Sequence, residues 1–279
     1  MKAASFEYQR PASLAEALRT LASAAGAAKV MGGSQSMGPM LNLRLTRPKV
    51  VVDISALPEL RQVTQEGSFI RIGAAVTHAE IEDGVHPLLR DGMLQAVAGG
   101  IAYRAIRNRG TVGGSLAHAD PAADWVLTMA ALGAQLEIAG AAGTRRVPMD
   151  RFMQGAYTTD LAEGELIAAV LVPALSEAAR WGYHKFCRKT GEFAEASCAA
   201  VFDPARQMAR IIMGALDGAP QALPTLAAQV ARAASRPERS AIEAAVAAAA
   251  PTKDAIDRKL LVAAVERCLH QVLIPETLQ

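Results

Sequence analysis

Residues 111–124 read Thr-Val-Gly-Gly-Ser-Leu-Ala-His-Ala-Asp-Pro-Ala-Ala-Asp, and this segment carries more information than any other part of the chain. Its adjacent glycines allow a backbone to approach a ligand with no Cβ in the way, and they tolerate a positive φ. The hydroxyls of Thr111 and Ser115, with the backbone N–H groups of the turn, suit phosphate oxygens. Asp120 and the proline after it predict the start of a helix that runs to Leu132. We therefore expect an anion-binding turn that leads into a helix.

A second glycine pair stands upstream, where residues 32–45 read Gly-Gly-Ser-Gln-Ser-Met-Gly-Pro-Met-Leu-Asn-Leu-Arg-Leu. Taken alone, one such segment usually indicates an ordinary tight turn. Together, two glycine pairs flanked by hydroxyls predict one ligand whose two phosphates are held from two sides. Neither segment matches G-x-x-x-x-G-K-[ST] or G-x-G-x-x-G, which disfavours a nucleoside-triphosphate hydrolase and a Rossmann dinucleotide site.

With both segments in view, the chain resembles the flavin-binding medium subunit of the molybdenum hydroxylases. This family includes the medium subunit of aerobic carbon monoxide dehydrogenase and the FAD domain of xanthine dehydrogenase. Its loops have the patterns A-G-G/S-Q/H-S-L-x-P-x-x-x-x-R-L and T-I-G-G-S-x-x-x-A-D-P-x-x-D, from which Gly32, Met37 and Val112 depart conservatively. The resemblance extends over essentially the whole chain. It implies an electron-transfer subunit that binds FAD.

The resemblance also implies partners. A large subunit with the molybdenum cofactor oxidises the substrate, and a small subunit with two [2Fe–2S] clusters relays the electrons to the flavin, which passes them to an external acceptor. We expect a dimer of such heterotrimers. The substrate binds another chain, and the sequence does not identify the acceptor.

The fold implied by the resemblance is α+β, with a PCMH/vanillyl-alcohol-oxidase-type FAD-binding domain of two subdomains. A C-terminal domain of a three-stranded antiparallel sheet and helices follows. The order of predicted elements agrees, because a helix starting at a Ser13 capping box precedes apolar strands at residues 28–31 and 50–54. The break at residues 173–180 predicts domains at 1–175, with subdomains of about 1–55 and 56–175, and at 176–279. We also predict a helix over 88–98.

Candidate site residues follow from the resemblance, motif by motif. The expected contacts to the FAD pyrophosphate and neighbouring sugar are Gly32, Gly33, Ser34, Gln35, Ser36, Met37, Thr111, Gly113, Gly114 and Ser115. Asp124 is expected at the hydroxylated chain of the flavin, unless it is only a first-turn carboxylate. A backbone group of Ile167 is expected at the flavin ring, unless Ile167 is simply a core residue. Lys185 is expected beside the ring as a cation that stabilises the reduced form, unless it is merely solvated. Phe193 stands where relatives often carry a tyrosine that shields the flavin.

Composition excludes several other classes of protein. A net charge of +2 without a basic block argues against a nucleic-acid binder. The three cysteines, Cys187, Cys198 and Cys268, form no C-x-x-C pair, which argues against an iron–sulfur cluster on this chain and favours a reducing compartment. With no signal peptide and no apolar run of membrane-spanning length, we predict a cytoplasmic protein.

The five histidines lack metal-site spacing, so we expect no metal site. For His118, inside residues 111–124, we expect a structural hydrogen bond. No catalytic side chain is expected either, because the cofactor supplies the chemistry.

Two alternatives remain. A free-standing flavin oxidase of the vanillyl-alcohol type would need a larger substrate-binding domain than the residues after 175 provide. A non-catalytic module that retains the fold is the other, and the two intact glycine segments argue against it.

Overall fold

The computed structural model describes residues 2–273, which form four β-sheets and eleven α-helices. The strands are β1 Glu7–Gln9, β2 Ala28–Met31, β3 Val50–Asp53, β4 Val63–Glu66, β5 Phe69–Gly73, β6 Gln135–Gly140, β7 Gly143–Pro148, β8 Met153–Gly155, β9 Thr158–Thr159, β10 Leu166–Pro173, β11 Arg180–Phe186, β12 Ala196–Asp203, β13 Met208–Gly214 and β14 Gln221–Ala222. The helices are α1 Leu14–Ser23, α2 Met37–Asn42, α3 His78–Glu82, α4 Met93–Gly100, α5 Arg104–Arg107, α6 Val112–His118, α7 Asp124–Leu132, α8 Met149–Phe152, α9 Pro224–Ala233, α10 Arg239–Ala249 and α11 Ala255–Leu273.

The first sheet is parallel and has the order β1-β3-β2. Its central strand β3 is β-branched, as expected for a strand that pairs on both edges. Helix α1 covers the sheet with the buried residues Ala17 and Leu21, and it begins at Ser13, whose Oγ accepts from the Glu16 N–H at 3.2 Å. Strand β2 is parallel to β3. At the carboxyl end of β2 the chain passes directly into the glycine pair at residues 32 and 33.

The second sheet is antiparallel, in the order β4-β5-β10-β6-β7, and the apolar strand β10 lies at its centre. The third sheet is also antiparallel and has the order β11-β12-β13-β14. Strand β12 is buried on both faces, because alternate residues contact different cores: Ala199 and Val201 face the core that contains α7, whereas Ala200 and Phe202 face helices α9 to α11. A ribbon of β8 and β9 completes the sheets.

The predicted fold class is confirmed. The three-stranded C-terminal sheet gains a two-residue fourth strand, β14. The division after residue 175 stays a prediction, and α7 packs directly on β12 and β13 across it.

The prediction of a helix from Asp120 to Leu132 is wrong at its start. Asp120 does not cap a helix, because its Oδ1 accepts from the Ala122 N–H at 2.9 Å and closes a turn. Helix α7 begins only at Asp124. Residues 112–118 of the same segment, which we expected to be a turn, are the helix α6, whose N-cap is Thr111.

The helix predicted over residues 88–98 is also misplaced. Pro87–Leu89 is a short 3-10 turn, and helix α4 begins only at Met93. The positive φ of 56° at Asp91 separates them, since a helix cannot pass through a left-handed residue.

Candidate functional site

A cleft of about 770 Å³ lies between the first and second sheets. Its walls come from β2, the first glycine segment, α6, the start of α7 and β10. Of the site residues predicted from sequence, all except Lys185 line this cleft. Residues eighty positions apart, such as Gly33 and Gly113, therefore share one cavity.

The glycines of both segments are required by close packing. A Cβ on Gly33 would lie 1.7 Å from the carbonyl oxygen of Arg109, and a Cβ on Gly32 would lie 2.7 Å from the Thr111 Oγ1. A Cβ on Gly113 would lie 2.5 Å from the Cβ of Ala74. None of these glycines has a positive φ, and the left-handed residues of the first segment are Ser34, at 65°, and Arg44, at 58°. The two segments thus pack against each other, with no room for side chains between them.

The first segment presents unpaired donors. The backbone N–H groups of residues 33–36 reach no acceptor anywhere in residues 2–273. Within the same range, the hydroxyls of Ser34, Ser36 and Ser115 make no hydrogen bond. The left-handed Ser34 breaks the local backbone into the kind of concave turn whose successive N–H groups converge on an anion. Gln35 stabilises the loop, because its Nε2 donates to the Gly33 carbonyl at 2.9 Å.

The second segment contributes differently from what its sequence indicates. Its backbone N–H groups are already used: Val112 donates to the Val76 carbonyl at 3.0 Å, and Gly113 donates to the Ala74 carbonyl at 2.9 Å. The Gly114 N–H donates to the Thr111 Oγ1 at 3.1 Å, which caps α6. Residues 112–114 therefore form a fixed wall, and the Ser115 hydroxyl is a donor that this segment still has available.

Asp124, the first residue of α7, is buried at the cleft wall and is 8% exposed. Its Oδ1 accepts from the Tyr183 hydroxyl at 2.5 Å and from the Lys185 Nζ at 2.7 Å. Lys185 also donates to the Gly100 carbonyl at 2.9 Å. Lys185 is therefore neither solvated nor a free cation of the cleft, because it forms a salt bridge behind Asp124.

Sequence reasoning missed Tyr183, although a signal was present. Tyr183 and Lys185 are two residues apart on β11, so their side chains emerge on the same face of the strand. Burial raises the pKa of Tyr183 well above its usual value, and the neighbouring Asp124 charge raises it further. The phenol is therefore protonated and can donate to the carboxylate.

Sequence reasoning also missed His78 and Trp125, which line the same cleft. Their rings meet edge to face with centroids 5.8 Å apart. Burial lowers the pKa of His78 to about 4, so the imidazole is neutral near pH 7. Neither ring nitrogen of His78 nor the Trp125 Nε1 finds a hydrogen-bond partner among residues 2–273. No periodic or motif signal singled out these positions.

Two further residues of the cleft have simple surroundings. Phe193 is 64% exposed at the cleft surface, where an aromatic ring is available for stacking. His118 contacts the Tyr157 ring at a centroid distance of 5.2 Å. The structural hydrogen bond expected of His118 is not found within the part of the chain that the structure describes.

The range of residues 2–273 contains no group of three or more His, Cys, Asp or Glu side chains arranged to hold a metal ion. It also contains no helix with the length and apolar character needed to cross a membrane.

Comparisons with known proteins agree on one family. Residues 4–175 match the family described as the FAD binding domain in molybdopterin dehydrogenase. The carbon monoxide dehydrogenase medium chain of Hydrogenophaga pseudoflava is 38% identical over 196 residues, 70% of this chain and 68% of that one. The nicotine 6-hydroxylase medium subunit of Paenarthrobacter nicotinovorans is 35% identical over 80% of this chain and 79% of its own. The solved carbon monoxide dehydrogenase from Hydrogenophaga pseudoflava superimposes with a TM-score of 0.86 at 31% identity, covering 98% of both chains.

Proposed function

The chain belongs to the family of FAD-binding domains of molybdopterin dehydrogenases, and we propose that it is the FAD-binding, electron-transferring subunit of a molybdenum hydroxylase complex. Its relatives are medium subunits of dehydrogenases and hydroxylases, which act on substrates as different as carbon monoxide and nicotine. The family membership supports the flavin role, whereas the range of relatives leaves the substrate open.

One observation supports FAD binding most directly: unpaired donors line the cleft where the two glycine segments meet. The free N–H groups of residues 33–36 and the hydroxyls of Ser34, Ser36 and Ser115 offer hydrogen bonds to a diphosphate. Hydrogen bonds to charged groups contribute about 1.5–3 kcal/mol each, so several of them stabilise a bound pyrophosphate strongly. The residues present therefore fit the group, and we assign the pyrophosphate mainly to the first segment.

The other predicted contacts extend from this point. Asp124 offers a carboxylate oxygen to a hydroxylated chain, and Ile167 borders the cleft from β10. Bound FAD supplies the capacity to take up electrons one at a time and release them in pairs. The protein's own part is to bind, to orient and to set the local charge, and no catalytic side chain is assigned.

The proposed partners are a large subunit that carries the molybdenum cofactor and a small subunit that carries two [2Fe–2S] clusters. Two such heterotrimers would form the complete complex. A "medium" chain, as in both relatives, implies a larger and a smaller companion. We also place the protein in the cytoplasm, on the strength of its three free cysteines.

The test begins with the purified chain. We expect a yellow protein that takes up FAD stoichiometrically and releases it on acid precipitation, because the attachment is non-covalent. The isolated chain should oxidise no organic substrate. The tagged chain purified from its native cells should bring down molybdenum and iron with two further chains. A colourless protein that cannot be reconstituted with FAD would refute the proposal, as would robust turnover of an alcohol or heterocycle by the chain alone.

A further inference from the structure

Two side chains of the third sheet, Tyr183 and Lys185, hold the carboxylate of Asp124 at the cleft wall. Asp124 belongs to α7, whereas Tyr183 and Lys185 belong to β11, more than fifty residues later in the chain. Both donate to the same oxygen, Oδ1, at 2.5 Å and 2.7 Å. Oδ2 accepts no hydrogen bond from any side chain or backbone group of residues 2–273. One oxygen is thus fully used, and the other remains available.

We infer that Tyr183 is a positioning residue for the flavin site: by holding Oδ1, it directs Oδ2 of Asp124 into the cleft as the acceptor for a ligand hydroxyl. This inference rests on the proposed function, because the ligand is taken to be FAD. Lys185 assists from the same face of β11 and keeps the pair electrically neutral. A carboxylate held by two donors on one oxygen loses most of its rotational freedom before the ligand arrives. Such preorganisation lowers the entropic cost of binding.

The strand that carries Tyr183 is itself fixed in place. The Tyr183 N–H donates to the Oε1 of Gln271 on α11 at 2.8 Å. On its other edge, β11 pairs with β12 over its whole length, with Tyr183 opposite Ala199. The Tyr183 hydroxyl is therefore held in place through the third sheet and α11. Folding of the third sheet thus completes a site that is formed mainly by the first and second sheets.

The experiment compares FAD dissociation constants for Tyr183→Phe and Tyr103→Phe by fluorescence titration. Both substitutions remove one hydroxyl, but the Tyr103 hydroxyl makes no hydrogen bond within residues 2–273 and its side chain lies outside the cleft lining. The hydrogen bond from Tyr183 to the charged carboxylate contributes free energy, and part of that contribution should appear in FAD binding. We therefore expect Tyr183→Phe to weaken FAD binding about tenfold, equivalent to about 1.4 kcal/mol. Tyr103→Phe should stay within about twofold of the parent protein.

A double-mutant cycle separates positioning from general structural damage. If Tyr183 acts through the carboxylate, Tyr183→Phe should have almost no further effect in an Asp124→Ala background. Circular dichroism and thermal melting check the fold, and if Tyr183→Phe does not fold, Lys185→Met takes its place in the same cycle. A loss below about fivefold, or an equal loss in both backgrounds, would overturn the inference and leave the proposed function standing. Absence of FAD binding by the parent protein would overturn both.

Discussion

Replacing Gly33 with alanine tests whether the packing of the two glycine segments creates the ligand site. The new Cβ would lie 1.7 Å from the Arg109 carbonyl oxygen and 2.8 Å from the Gly110 nitrogen. Both atoms belong to the backbone, so no side-chain rotation relieves the overlap. Restoring a separation of 3.0 Å from the carbonyl oxygen requires a shift of about 1.3 Å (3.0 − 1.7). That shift moves the loop whose free N–H groups face the cleft.

The expected loss of affinity follows from the number of hydrogen bonds disturbed. If two N–H groups of residues 33–36 lose their phosphate contacts, at about 1.5–3 kcal/mol each, FAD binding weakens by about 3–6 kcal/mol. This corresponds to a roughly 10²- to 10⁴-fold higher dissociation constant. Gly32→Ala should lose less, because the three atoms nearest to its Cβ all belong to the Thr111 side chain, the first at 2.7 Å, and not to the backbone.

The assay is a titration of each apoprotein with FAD, followed by fluorescence. Gly218→Ala is the matched control, because a Cβ there meets nothing within 4 Å. Melting temperatures and near-ultraviolet circular dichroism verify that each variant folds. If packing creates the site, the loss of FAD affinity should be largest for Gly33→Ala, intermediate for Gly32→Ala and absent for Gly218→Ala. A folded Gly33→Ala protein that binds FAD as tightly as its parent would refute it.

Other substitutions test the charges and a buried carboxylate. Lys185→Met should lower the flavin reduction potential because Asp124 is left uncompensated, Asp124→Asn should raise it, and the double variant should return close to the parent value in a spectroelectrochemical titration. A double variant as low as Lys185→Met would instead show that the cation acts directly on the flavin. Asp203→Ala should cost about 3–5 kcal/mol in a urea titration, because Asp203 is fully buried and accepts from the Ser176 N–H at 3.1 Å and hydroxyl at 2.6 Å. Burial alone would raise the pKa of Asp203, but the Ser176 hydrogen bonds and the Arg206 charge lower it below the ordinary value. The contribution of Asp203 to the free energy of unfolding is therefore present above the unfolded-state pKa and disappears as the pH falls through the folded-state pKa. In acid, the parent protein should consequently be no more stable than Asp203→Ala. An equal difference in stability at neutral and acid pH would contradict this assignment.

The sequence predicts this fold well where local signals and tertiary packing agree. The β-branched run of β3 is a strand at almost the predicted position, because its burial decides both pattern and structure. Residues 111–118 are misread because two adjacent glycines lower helix propensity. The Thr111 cap, together with the packing of Gly113 on Ala74, outweighs that preference. Glycine appears there because a neighbouring backbone lies too close for a Cβ, and a single sequence does not reveal such a neighbour.

The division of work between the two segments follows from the same contacts. An N–H group cannot both stabilise α6 and remain fully available to a phosphate, so the hydrogen bonds that make residues 112–114 rigid also remove them as the main donors. The first segment has the opposite character, since its N–H groups are free but its own hydrogen bonds are few. It therefore depends on the backbone at Arg109, against which Gly33 packs, to hold those donors in place. A substitution that shifts this backbone should consequently weaken FAD binding without removing a phosphate donor, whereas Ser34→Ala or Ser36→Ala should remove a donor without shifting it.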